Sequence, residues 1–155
     1  MKFVTVSDEF FSLVSGDIEI LHKGSRRPHL LLIKLKYKGR LMDFAIPFRS
    51  NIPPGENKSY YFPLPTRSTT RPKHRHGLHY IKMMPVNRKY IEKFWTGENA
   101  EYITYQKIVS RNIKRIVTEC QNYLVEYEQT GKSDYAVDID RIINILSEEN
   151  SEYAG

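Results

Sequence analysis

The sequence predicts an α+β fold, a small antiparallel sheet followed by helices, and three observations carry that expectation. Apolar and polar residues alternate through "HLLLIKLKYKGRLMDFAIPF" around a tight-turn dipeptide; beyond Gly97 apolar residues recur every three or four positions; and the two patterns follow one another instead of interleaving. The 155 residues read as a single domain, 1–96 mainly β and basic, 97–150 helical. A content of 40% hydrophobic and 12% aromatic residues fits a packed core and excludes a disordered chain.

The elements follow in order. Residues 2–6 read as a short strand, and Ser7 as the N-cap of a short helix with Asp8 and Glu9 in its first turn and Phe10, Phe11, Leu13 and Val14 on its apolar side. Residues 15–29 form a polar connector, with Pro28 biasing Arg27 toward an extended backbone. Two apolar runs, 30–37 and 40–46, flank Lys38-Gly39 and predict a β-hairpin. In its first arm Leu31, Ile33, Leu35 and Tyr37 alternate with Lys34, Lys36 and Lys38, one face buried and the other cationic. Pro47 is expected to end the second arm, leaving "FRSNIPPGENKS" irregular. "YYF" at 60–62 reads as a short strand, "PLPTRSTTRPKHRHG" as a long loop that is either functional or disordered, and "LHYIKMMPV", 78–86, as a strand. Tyr105, Ile108, Val109, Asn112, Ile113, Ile116, Val117, Cys120, Leu124 and Tyr127 predict one long amphipathic helix ending near Gly131. Val137, Ile139, Ile142, Ile143, Ile145 and Leu146 predict another over about 137–149, with "SEENSEYAG" fraying.

No apolar run reaches the ~20 residues of a membrane span, and "MKFVTVSDEF" lacks the order of a signal peptide. Cys120 is the single cysteine, so no intrachain disulfide can form, and the cytoplasm is the expected compartment. On its stripe the thiol reads as inert core. The net charge of +6 is unevenly spread. Residues 22–93 hold 17 Lys and Arg against three acids (Asp43, Glu56 and Glu92), whereas residues 97–155 carry a net −5. Such asymmetry, with Tyr37, Phe48, Tyr60, Tyr61, Phe62 and Tyr80 among the cations, predicts a face for a polyanion that is also a stack of bases.

Three clusters could carry chemistry. "RPKHRHGLHYIK" holds His74, His76 and His79, which could ligate a metal, move protons or line a charged rim. With Arg71, Lys73 and Arg75 beside them and no neighbouring acid or cysteine, no metal site is expected. "PFRSN" offers Arg49 and Ser50 past a strand end, a guanidinium and a hydroxyl suited to gripping a phosphate. A serine hydrolase is disfavoured, because the G-x-S-x-G elbow is missing. "SRRPHL" opens the hairpin, and its register places Arg26, Arg27 and His29 at the same end of the sheet as Arg49 and Ser50.

"MKFVTVSDEF", "RPHLLLIKL", "RLMDFAIPFRS", "GLHYIKMMPV" and "YQKIVSRNIKRIVTECQNYL", with the terminal "DIDRIINIL", resemble in order and spacing the toxins of type III toxin–antitoxin systems, the ToxN/AbiQ-like group. The resemblance implies a small, strongly bent antiparallel sheet or barrel, MazF/Kid-like, with added helices. It implies an endoribonuclease that is held inactive by a repeated RNA pseudoknot antitoxin, which it also processes, within a cyclic protein–RNA hetero-oligomer serving phage defence. It maps a proline and basic residue at a strand head onto Pro28-His29, a proline–apolar–Thr–Ser turn onto Pro47-Phe48-Arg49-Ser50, and a glycine–leucine strand start onto Gly77-Leu78, leading to Lys82. A lysine often found two residues past the serine is replaced by Ile52, so its charge falls to Arg49, to Lys58 or to the 71–76 cluster.

The expected mechanism is metal-independent and cofactor-free. The substrate's own 2′-OH attacks, leaving 2′,3′-cyclic phosphate and 5′-OH ends. Arg49 stabilises the transition-state charge, Ser50 donates a hydrogen bond, and His29 serves as acid/base, its pKa lowered by the arginines. RNA binding is expected from Arg26, Arg27, Asn51, Lys58 and Arg67, and from Arg71, Lys73, His74, Arg75, His76 and Lys82. His74 or His76 is the fallback acid/base. The aromatics at 60–62 and 80 are expected either to stack bases or to fill the core. A non-catalytic RNA- or DNA-binding module with the same basic groove is the alternative.

Overall fold

The computed structural model describes residues 2–22, 26–97 and 99–154. Strand β1 (Lys2–Val6) runs into α1 (Asp8–Leu13), capped by Ser7, whose side chain accepts from the Phe10 N–H. Strands β2 (His29–Tyr37) and β3 (Arg40–Ile52) form the expected hairpin. Its turn places Lys38 at φ 49° and Gly39 at φ 77°, the two positive angles a two-residue hairpin turn requires. Then come β4 (Tyr61–Leu64), β5 (Arg75–His79), β6 (Met84–Pro85) and the edge strand β7 (Ile91–Lys93), which the sequence reading missed. Helices α2 (Ala100–Arg111), α3 (Ile113–Thr130) and α4 (Ile139–Ala154) complete the chain.

The antiparallel strands lie in the order β4-β5-β3-β2-β1-β7, with β6 also on β3. Among the described residues β4 and β7 are free edges with no pairing between them, so the sheet is open and not a closed barrel. Helices cover both faces. Leu30, Leu32, Ile46 and Phe48 share one core with Ile116, Cys120 and Leu124 of α3, while Leu31, Ala45 and Val4 share the other with Phe10, Phe11, Ile142 and Leu146. This explains the unbroken "LLL" at 30–32, for a strand covered on both sides has no solvent face to mark. Burial also pushes the Cys120 thiol well above its usual range, as an inert core position requires.

Several boundaries differ from expectation for local reasons. Pro47 does not end β3. It falls between the stretch paired with β6 (Phe44 and Ala45) and the stretch paired with β5 (Phe48 onward), where no ladder bond on that side needs its missing N–H. The strand expected over 78–86 is broken by a 3-10 turn, Tyr80–Lys82, which creates that gap. In β2 the alternation slips at a bulge between Leu32 and Leu35, where Lys34 takes φ 65°. The Ile33 side chain and residues 23–25 of the connector lie outside the described residues. The long helix is two, because Asn112 turns its side-chain amide back to donate to the Ile108 carbonyl at 2.8 Å and leaves helical geometry. The segment expected to fray continues α4 as far as Ala154.

Tyr127 fixes the start of α4. Its buried hydroxyl donates to the Val137 carbonyl and accepts from the Ile139 N–H, each at 3.1 Å. Tyr127→Phe leaves both backbone groups without this partner and is expected to cost about 1–3 kcal/mol. The corresponding fall in Tm, roughly 2–4 °C per kcal/mol, is read by thermal denaturation.

Candidate active site

The last residues of β3 are held between two strands. His29 of β2 pairs with Pro47, and across β3 Phe48 pairs with Leu78 and Arg49 with Gly77 of β5. Successive β3 side chains therefore diverge. Arg49 turns toward His79, its Nη1 3.4 Å from the ring Nδ1. Ser50 turns toward Arg67, whose Nη1 donates to the hydroxyl at 3.4 Å. Between them Arg27 crosses the rim and donates from Nη1 to the Phe48 carbonyl at 2.9 Å. Arg27, Arg49, Ser50 and Arg67 thus gather at one end of the sheet.

On the Arg49 side, His79 Nε2 lies 2.8 Å from the Glu56 carboxylate. Lys82 donates to the Tyr135 carbonyl at 2.6 Å and stands 3.5 Å from Glu19. Burial pulls Arg49, His79 and Lys82 below their ordinary pKa values; Glu56 opposes this at Arg49 and His79, and Glu19 at Arg49 and Lys82. The hydrogen bond from His79 holds the Glu56 carboxyl low, against the opposite pull of its own burial. On the Ser50 side Arg67 donates to Glu101 at 2.9 Å and lies 5.0 Å from the Tyr102 ring centroid, a guanidinium held between a carboxylate and a π-face.

The remaining expected residues divide into exposed and buried. Arg26, Lys58, Arg71, Lys73 and Arg75 are exposed, and His74 is half-buried with Nδ1 at the Pro72 carbonyl. Asn51 accepts from the Arg71 N–H at 2.7 Å and ties the basic loop to the end of β3. His29 is placed differently from the role expected of it. Only 1% exposed, its ring lies near Phe11, Nδ1 meets the Arg27 carbonyl and Nε2 is buried without a partner. Burial drives its pKa to about 3, so it is a neutral core residue, packed near Phe11 and bonded to the Arg27 backbone instead of to Arg49 or Ser50. His76 is no rim residue either; it is buried against Tyr105 with Nδ1 on the Pro65 carbonyl. Lys82, 6% exposed, cannot follow an RNA backbone across the surface. Tyr61, Phe62 and Tyr80 are buried, and Tyr60 packs edge-on to Tyr123, so these aromatics fill the core instead of stacking bases.

His74, His76 and His79 each meet a different partner, and among the described residues no group of three His, Cys, Asp or Glu side chains is arranged to hold a metal. Sequence reasoning missed Glu56 and the link it forms to Arg49 through His79. The signal was there: Glu56 is one of only three acids in the 72 residues of the basic segment.

Three solved structures superpose on nearly the whole chain. One, a toxin of a bacterial type III toxin–antitoxin system selectively inhibited by a non-coding RNA pseudoknot, aligns at TM-score 0.69 and 16% identity over 96% of this chain and 97% of its own. AbiQ, a lactococcal anti-phage endoribonuclease belonging to a type III toxin–antitoxin system, aligns at TM-score 0.68 and 15% identity over 99% and 97%. The chain shares the fold of these two proteins. A third structure, from a bacterial antiviral system regulated by a processed non-coding RNA, aligns at TM-score 0.65 and 14% identity over 93% and 96%. No family model and no curated relative matches the sequence. Ile52 is fully buried and offers no charge at the position where the resemblance led a lysine to be expected; Arg49 and Lys82 are the cations beside His79.

Proposed function

We propose that this protein is an endoribonuclease toxin of a type III toxin–antitoxin system, acting without a metal on cellular or phage mRNA in phage defence. It is inhibited by a repeated RNA pseudoknot that it cuts from a precursor, and it assembles with that RNA into a cyclic hetero-oligomer. The observation that carries this reading is the convergence of Arg27, Arg49, Ser50 and Arg67 at one end of a type III toxin sheet.

The chemistry follows from donors and acceptors. The ribose 2′-OH attacks the adjacent phosphorus, and the phosphorane gains charge that Arg49 meets from a partly desolvated position, where a cation acts more strongly than in water. The Ser50 hydroxyl accepts from Arg67, which leaves its own hydrogen free to donate to a phosphate oxygen. The products are a 2′,3′-cyclic phosphate and a 5′-OH. The exposed cations Arg26, Lys58, Arg71, Lys73 and Arg75 hold flanking phosphates.

Labelled RNA incubated with the protein in EDTA is expected to be cut, with 2′,3′-cyclic phosphate on the upstream fragment and no cut where the ribose is 2′-deoxy. Intact RNA in EDTA that remains bound would instead identify a non-catalytic RNA-binding module. Affinity for a 2′-deoxy oligonucleotide is expected to fall with salt at a log–log slope of about −4.2, the release expected from six single-strand phosphate contacts, those of the five exposed cations and of Arg49. Lys58→Ala should flatten that slope by about 0.7 and leave kcat unchanged.

A further inference from the structure

His79 is 1% exposed yet lies between a carboxylate and the arginine of the proposed phosphate clamp. Nε2 is 2.8 Å from Glu56 Oε2, and Nδ1 is 3.4 Å from Arg49 Nη1. A carboxylate only accepts and a guanidinium only donates, so both contacts select one tautomer, with the proton on Nε2 and the lone pair on Nδ1. The carboxylate is itself fixed, since its other oxygen, Oε1, accepts from the Asn57 N–H at 3.1 Å. The basic nitrogen therefore faces the clamp. While Arg49 stays in place, a proton on Nδ1 would meet an N–H head-on, so the imidazolium needs the guanidinium to move. A phosphodiester gives Arg49 a charged acceptor in place of a neutral ring nitrogen.

We propose that His79 is the general base of this site, that Glu56 is its positioning residue, and that Nδ1 is uncovered when Arg49 turns to the scissile phosphate; this rests on the endoribonuclease reading. Nδ1 takes the 2′ proton as the O2′–P bond forms and the P–O5′ bond breaks. The leaving O5′ takes a proton from water, and the imidazolium returns its proton to solvent. The groups facing the ring are Glu56 from the loop after β3, Arg49 from β3, Lys82 from the 3-10 turn and Tyr61 opposite it in β4. Burial, Arg49 and Lys82 hold the ring neutral near pH 7, while Glu56 keeps it basic enough to accept a proton.

The test is the pH dependence of kcat/KM for cleavage of a single-site RNA by the full chain. The wild-type rate should climb with pH to a plateau as His79 loses its proton. His79→Gln should lower the plateau by about 10²–10⁴-fold and abolish that limb. Glu56 is partly exposed on a loop, so Glu56→Gln keeps the fold, and it should move the limb to lower pH with a plateau loss on the order of 10–100-fold, smaller than for a fully buried orienting carboxylate. Binding of a 2′-deoxy oligonucleotide should be unchanged in both variants. A limb that stays in place in Glu56→Gln, or a wild-type profile retained by His79→Gln, overturns the proposal alone. If the wild-type protein cuts no RNA, the underlying reading falls and the proposal with it.

Discussion

Gly77→Ala is expected to displace a strand and unfold the corner that carries the candidate active site. A Cβ at this position would lie 2.1 Å from the Phe62 carbonyl oxygen, 3.0 Å from its carbon and 3.3 Å from the Pro63 Cα. All three are backbone atoms of β4, so no rotamer change relieves the clash, and β4 and β5 must separate or shift. Overpacking of this kind costs about 3 kcal/mol or more. For a chain of this size that corresponds to a Tm lower by roughly 6–12 °C. Gly77 is also the partner of Arg49, so activity should fall with stability. Gly39→Ala is the matched control. It has a positive φ but nothing within 4 Å, and should lose only the left-handed penalty of about 1–2 kcal/mol. Equal Tm losses in the two variants would mean that close approach at Gly77 does not hold the corner together.

Gly77 also marks how far the sequence could be read. The turn at Lys38-Gly39, the cap at Ser7 and the helix end at Gly131 are local chemistry, legible because the residues that cause them are adjacent in the chain. Pro47 misled because its tolerance depends on a gap between two partner strands, and that gap arises from a 3-10 turn more than thirty residues away. Asn112 misled in the opposite direction, a single polar residue on a continuous apolar stripe whose back-bond breaks the helix.

The site divided along the same line. Hairpin register alone placed Arg27 and His29 near Arg49 and Ser50, and β2 and β3 do bring them to one end of the sheet. Register cannot say what covers a face. Phe11 of α1 lies over His29 from a different part of the chain, and its burial removes the proton chemistry that its arginine neighbours suggested. His79 and Glu56 are 23 residues apart and meet only because the loop after β3 folds back on β5. No periodicity encodes that contact, although one of only three acids in a segment of net +14 was the residue to ask about.

Arg49→Ala is expected to lower kcat by about 10²–10³-fold, the loss typical of removing one donor to a charged transition state. Arg49→Lys should restore little, because an ammonium cannot present two parallel N–H groups to a phosphate. Stability should hold or rise, since Arg49 is a like charge beside Arg27 and Lys82 and pulls the pKa of both down. Affinity for a 2′-deoxy oligonucleotide should lose no more than one phosphate contact, a change in salt slope of about 0.7. The pH profile provides a second, signed test. Arg49 lowers the His79 pKa and Glu56 raises it. Removing Arg49 therefore raises that pKa, shrinks the neutral fraction at a given pH and shifts the acid limb of the residual activity upward, whereas Glu56→Gln shifts it downward. Opposite displacements in two variants of similar size are what one imidazole held between a cation and an anion must give. Displacements of the same sign, or none in either variant, would remove His79 from the chemistry and leave Arg49 acting on the phosphate alone.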